Sequence, residues 1–164
     1  MDIYQEAKRI IESNRYLSLA TYSDEEIWAT PLSYAVDSDY NFYLVTAIDS
    51  KHIEHITENP YVAFTIFDSA KKVSEIDGMQ IKGIIGQVDI KELPKIVPMY
   101  YKHVFPDPVE RKEWEVPFEC FTKNDYPIYR FFQIKPTEIY KRDTINIDVD
   151  RRVTIDIDKL KEIK

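Results

Sequence analysis

The chain has 164 residues, with 22 Lys and Arg against 29 Asp and Glu and a formal charge of −7, a length that predicts one domain burying about 70% of its unfolded surface without staples. That acidic balance repels a phosphate backbone and an anionic lipid surface, which argues against nucleic-acid and membrane-surface binding. One cysteine, Cys120, excludes an internal disulfide framework and any multi-thiolate metal site, no apolar run nears the ~20 residues of a membrane helix, and no signal peptide opens the sequence, so a cytoplasmic setting is expected.

Ile3, Ala7, Ile10 and Ile11 share one helical face, and Asp2 with Gln5 reads as a capping box, so a helix is predicted from about Asp2 to Asn14. The period then changes to two. YLSLATY (16–22), IWATPLSYAV and FYLVTA are three strands joined by the polar turns Ser23–Glu26 and Asp37–Asn41, as in an antiparallel meander. Pro31 lacks a backbone donor, which assigns it to an edge, a bulge or a ligand-facing opening. SKHIEHITEN (50–59) reads as a short helix with Ser50 or Asp49 as N-cap and Pro60 as its stop.

YVAFTIF is the next strand, and a polar loop from Asp68 to Asp77 leads to MQIKGIIGQVDI, where Gly83 and Gly86 mark a bulge or close packing. Leu93, Ile96, Val97, Tyr100, Tyr101 and Val104 recur at helical spacing, so Glu92–Phe105 is predicted as a helix bent by Pro98. Asp107-Pro108-Val109-Glu110 starts a further short helix. PIYRFFQIKPTEIYKR is the closing strand, broken or bulged at Pro136. In the tail Ile145, Ile147, Val149, Val153, Ile155 and Ile157 alternate with polar residues, as a hairpin or an arm would. About six β-runs with helices in the connections suggest a small antiparallel barrel.

The stretch LVTAIDSKHIEHITENP carries the most chemistry. A helix that begins at Ser50-Lys51 offers unpaired N–H groups, a hydroxyl donor and a point charge, all suited to a phosphate. An ordinary capped helix with a solvated lysine is the plainer reading. With three glycines the chain cannot complete a Walker or Rossmann fingerprint. His52 and His55, at i and i+3 beside Glu54 and Glu58, read as partly exposed surface residues with no third metal ligand. His103 reads as solvated, Cys120 as a buried inert thiol, and Trp28 and Trp114 as core or dimer contacts.

The order of these words resembles the FMN-binding split-barrel family related to pyridoxamine 5′-phosphate oxidase. The pieces are the N-terminal helix, LSLATY, ATPLSYAVDSDYNFYLVT, SKHIEHITENPYVAFTIF, MQIKGIIGQVDI and YRFFQIKPTEIY, which together cover most of residues 1–141 and leave 142–164 as a β arm or hairpin with a tail. The most specific element is a strand threonine followed by Ser-Lys and then Asn-Pro before the next strand.

The resemblance implies a mainly β, six-stranded antiparallel Greek-key split barrel with short flanking helices. It also implies a homodimer with one FMN in each of two inter-subunit grooves, and electron transfer with a small-molecule donor or acceptor. On this chain Ser50 and Lys51 would hold the flavin phosphate, Ala29, Thr30, Pro31 and Leu32 would line the ring or ribityl chain, Val45 and Thr46 would touch the cofactor from the next strand, and Gln80 would face it from the long strand. Some relatives bind a deazaflavin or haem. The oxidase activity itself does not carry over, since no residue set matches pyridoxal phosphate as substrate. The alternative to an oxidoreductase is a non-enzymatic flavin- or haem-binding protein for storage or sensing.

Overall fold

The structure, a computed structural model, describes residues 2–72, 77–143 and 151–163. Alternation of large apolar with small or polar side chains sets the strands. β1 (Tyr16–Ser23) buries Leu17, Leu19 and Thr21 and turns Tyr16, Ser18 and Ala20 the other way. β2 (Glu26–Ser33) and β3 (Ala35–Val36) are the two halves of the predicted second run, bent at the buried Tyr34, which donates its N–H to Arg15 O (3.0 Å) and its hydroxyl to Ile11 O (2.5 Å). β4 (Phe42–Ala47), β5 (Tyr61–Phe67), β6 (Gly78–Gln87), β7 (Tyr129–Arg142) and β8 (Arg152–Ile155) complete the set.

All ladders are antiparallel, in the order β2-β1-β5-β6-β7-β4-β3, and β8 adds to β7. Because β2 and β3 are one bent run, the sheet closes on itself beyond Tyr34 and stays open between β2 and β4. The split barrel thus has seven strands in its order where six were expected, because the second predicted run is divided at Tyr34, and β8 is the tail's addition. Pro31 lies on the edge strand β2, one of the three positions its missing N–H allowed.

Of the break or bulge expected at Pro136, the structure has a β-bulge. Register shifts between Lys82 and Gly83, opposite Glu138 and Pro136, which leaves Thr137 as the extra residue. Gly83 is required there, since a Cβ would stand 2.5 Å from Ile134 Cγ2 and 2.7 Å from Lys135 O.

Among the described residues five α-helices flank the barrel: α1 (Ile3–Ser13), α2 (Lys51–Glu58), α3 (Leu93–Val104), α4 (Pro108–Trp114) and α5 (Ile157–Lys161). Asp2 and Gln5 form the capping box, Asp107 caps α4, and α3 runs on through Pro98. Ala7, Ile10 and Ile11 of α1 join Leu19, Phe42, Phe64 and Ile81 in the main core, while α3 packs Val97 and Tyr100 against Tyr43 and Phe131 in a second one. Lys141 of β7 is enclosed beneath α1, with Nζ 2.8 Å from Glu6 Oε2 and 3.0 Å from Asp77 Oδ1.

The tail departs from plain alternation. Ile145, Ile147 and Val149 fall outside the described residues. Val153 and Ile155 follow the pattern in β8, but Ile157 opens α5, because the Asp156 carboxylate accepts from the N–H groups of Asp158 and Lys159 and starts a helix there. Cys120 is exposed rather than buried, since Phe121 is the residue of that turn that packs, 4.8 Å from Phe131 between ring centroids. Trp28 (43% exposed) and Trp114 (62% exposed) stand outside the core, the latter stacked on Phe105.

The β1–β2 turn places Asp24 at φ 47° and Glu25 at φ 63°, the left-handed pair that a two-residue hairpin demands and that glycine meets without steric cost. Glu25→Gly is expected to stabilise the fold by about 1 kcal/mol, raising the midpoint of thermal unfolding by ~2–4 °C. An unchanged midpoint would show that this turn carries no strain.

Candidate functional site

The site begins where β4 ends and α2 starts. Ile53 and Ile56 anchor α2 in the main core, and the same face carries His52 (5% exposed) and His55 (2% exposed). Both histidines are therefore interior residues, not surface ones. Helical geometry compels this, because the neighbours of two buried residues three apart share their side of the cylinder.

His52 fills the open seam of the barrel. Its Nε2 lies 2.8 Å from Thr46 Oγ1 of β4 and 3.1 Å from Ser50 Oγ, while Nδ1 makes a long 3.5 Å contact with Thr30 Oγ1 of β2. Ser50 Oγ spends its single proton on Ala47 O (2.8 Å), so it can only accept from the imidazole. Hydrogen-bond accounting thus puts the ring proton on Nε2 and leaves Nδ1 to accept from Thr30. Burial, reinforced by the nearby His55, pushes the His52 pKa below the ordinary value of 6.5 and keeps the ring neutral.

His55 Nδ1 meets Thr21 Oγ1 of β1 at 3.1 Å, and its Nε2 lies 3.7 Å from Glu26 Oε2. Lys51 stands at the surface of α2, paired with Glu26 (2.9 Å) and Glu54 (3.4 Å). The Glu26 hydrogen bond raises the Lys51 pKa, and Lys51 in turn lowers that of Glu26. So the lysine is neither a free cation nor simply solvated. Ser50 gives α2 no side-chain cap, which leaves first-turn N–H groups available to an anion.

The nine residues predicted for cofactor binding separate by strand parity. Thr30, Thr46 and Ser50 converge on His52, with Lys51 beside them. Ala29, Pro31 and Gln80 lie on the outer sheet face, where register aligns Ala29, Ala20, Ala63 and Lys82 in one row and Pro31, Ser18, Thr65, Gln80 and Tyr140 in the next. Leu32 packs against the main core and Val45 against the second. Leu32 lies on the Thr30 side of β2 but packs inward of the seam rather than against His52.

The outer face holds a groove of about 350 Å³ floored by Ser18, Ala20 and Ala63 and edged by Gln80, Tyr140 and Arg152. A larger opening of about 670 Å³ between α3 and α4, lined by Pro94, Val97, Pro98 and Arg111, contains none of the predicted residues. His103 is half-buried, with Nε2 2.9 Å from Asn14 O and its ring against Tyr34, rather than solvated. Among the described residues no three His, Cys, Asp or Glu side chains are placed to hold a metal, and no helix is long and apolar enough to cross a membrane. Sequence reasoning missed the interior role of both histidines and the contribution of Arg152.

An antiparallel split barrel, closed by a bent strand and plugged at its seam by one short helix, defines the class of the protein. The chain belongs to the pyridoxamine 5′-phosphate oxidase family, whose profile matches residues 3–143. It is 27% identical over 104 residues to the UPF0306 protein plu4501 of Photorhabdus laumondii, an alignment covering 63% of this chain and 72% of that one. Two solved structures share the fold. A heme binding protein from Mycobacterium smegmatis superposes with a TM-score of 0.73 at 14% identity over 99% of this chain, which spans 61% of that protein's length. A FAD-binding protein from Mesorhizobium loti gives 0.58 at 20% identity, covering 82% of this chain and 88% of that one.

Because burial depresses the pKa of His52 and also that of His103, the unfolded chain takes up protons at these positions first as pH falls below 6.5. Their contribution to stability is therefore complete above that value and is lost as pH drops toward the folded-state pKa. The carboxylates with depressed values, Glu26, Asp107 and Glu138, act only in the lower range below their ordinary 4.5 or 3.8. Urea unfolding at pH 7.5 and 5.5 should show wild-type stability falling, and the fall should shrink in His52→Gln, whose amide can still donate to Thr46 and Ser50. An equal fall in both proteins would remove His52 from the account.

Proposed function

We propose that the chain is a flavoprotein that binds FMN non-covalently in a groove between two copies of itself and passes electrons to or from a small molecule. The observation that carries this reading is the outer sheet face. Ser18, Ala20 and Ala63 form a floor without bulk, while Tyr61 (68% exposed), Tyr16, Phe67 and Ile84 stand around it as an apolar rim. A flat ring fits such a floor, and a second copy of the chain would remove the rim from water. Family membership supports both halves of the reading.

The phosphate end also fits in kind. The uncapped start of α2 and Lys51 supply donors and a cation, although an incoming phosphate must compete with Glu26 and Glu54 for the lysine and with Ala47 O for the Ser50 proton. A bound flavin supplies the electron-carrying ring, and the chain's own residues bind it, orient it and limit its access to solvent. Thr30, Thr46 and Ser50 keep their positions through His52. The alternative, a protein that holds flavin or haem without turnover, draws on the heme binding protein that shares the fold. Haem is the less suited ligand, because His52, His55 and His103 all direct ring nitrogens at protein oxygen atoms.

Titration with FMN should give one flavin per chain, and light scattering should give the mass of a dimer. Lys51→Ala should weaken FMN about tenfold, the scale of one charge-assisted contact, and leave riboflavin, which lacks the phosphate, unchanged. Equal losses for both ligands would move the phosphate away from α2. Oxidation of a reduced nicotinamide by the flavin-loaded protein separates an oxidoreductase from a storage protein.

A further inference from the structure

The C-terminal arm reaches the same outer face. β8 runs antiparallel to β7 with Arg152 opposite Arg142 and Thr154 opposite Tyr140. Arg152 leans back across the sheet, its guanidinium 5.7 Å from the centre of the Tyr140 ring and its Nη1 3.0 Å from Gln80 Oε1. A guanidinium only donates, so Gln80 must offer it the amide oxygen. The amide oxygen of Gln80 is thereby committed to the arm, and its two N–H donors are left for a ligand in the groove that Gln80 lines. The neighbouring polar groups are already engaged with one another: Lys82 Nζ lies 3.1 Å from both Glu138 oxygens, and the Tyr140 hydroxyl donates to the same carboxylate. At this edge of the groove the free donors are those of the Gln80 amide, above a floor of small side chains.

We infer that Arg152, delivered by β8, is a positioning residue that fixes Gln80 with its amide N–H groups facing the groove, so that the groove selects a planar heterocycle with an acceptor edge. This rests on the flavin reading and extends it, since it gives the tail a task in holding the ring rather than the phosphate. A ring whose edge carried only donors would find no acceptor at Gln80 and bind less well.

The test is a double-mutant cycle on FMN affinity, followed by quenching of flavin fluorescence in the full-length chain. Arg152→Met keeps the stem that covers Tyr140 but has no donor, and Gln80→Leu removes the amide. Each should weaken FMN about tenfold, the scale of one well-placed hydrogen bond inside a groove. The double variant should bind no more weakly than Gln80→Leu alone, because Arg152 acts through Gln80. Arg152→Lys, which keeps the charge and one donor, should fall between wild type and Arg152→Met, and circular dichroism melts without flavin verify that each variant folds. Wild-type affinity in Arg152→Met, or losses that add in the double variant, overturns the inference while the flavin reading stands. A wild-type chain that binds no FMN removes both.

Discussion

A barrel that closes at one end and splays at the other leaves two strands facing each other without a ladder, and the imidazole of His52 spans that opening. Thr30 lies on one side, Thr46 on the other, and Ser50 sits at the start of the helix that fills the gap. Buried polar groups must find partners, and a neutral histidine suits this place because it donates through one nitrogen and accepts through the other. Ile53 and Ile56 provide the apolar anchorage that holds the ring there. A leucine at position 52 would fill comparable volume, but it would leave hydroxyl groups in the seam without their partner.

The architecture was legible because the periods were clean. Leu17, Leu19 and Thr21 announced a half-buried strand, Asp2 with Gln5 announced a helix start, and Pro136 announced an interruption that proved to be a bulge with Thr137 as the extra residue. The histidines were misjudged by chemistry overriding geometry. Ile53 and Ile56 fix the inner side of α2, and the spacing that buries them also buries His52 and His55. Cys120 was misjudged for a related reason, since its aromatic neighbours suggested a core that only Phe121 enters. Arg152 had no local signal at all. Its contact with Gln80 spans 72 positions and arises only from the strand order that sets β8 beside β7 and β7 beside β6.

Strand β2 divides the candidate site as much as it joins it. Thr30 points to the seam, while Ala29 and Pro31 point to the outer face, so consecutive residues serve opposite sides of one sheet. A ligand with a flat ring and a charged tail matches this division when the ring lies outside and the tail turns around the edge of β2 toward α2. Among the described residues that edge has no neighbouring strand, and Pro31 has no N–H there to leave unpaired. The same proline discourages edge-to-edge growth of the sheet.

Lys141 has a consequence for how the molecule comes apart. Its ammonium group is enclosed between Glu6 of α1 and Asp77, just ahead of β6. If α1 lifted away alone, it would break the Glu6–Lys141 pair and open the remaining Lys141–Asp77 pair to water. Terminal helices commonly fray in isolation, but here fraying carries the cost of breaking a buried charge cluster. The first helix is thereby bound into the same cooperative unit as the long closing strand, and its amide protons should exchange with solvent on the slow timescale of the barrel rather than the fast one of a chain end.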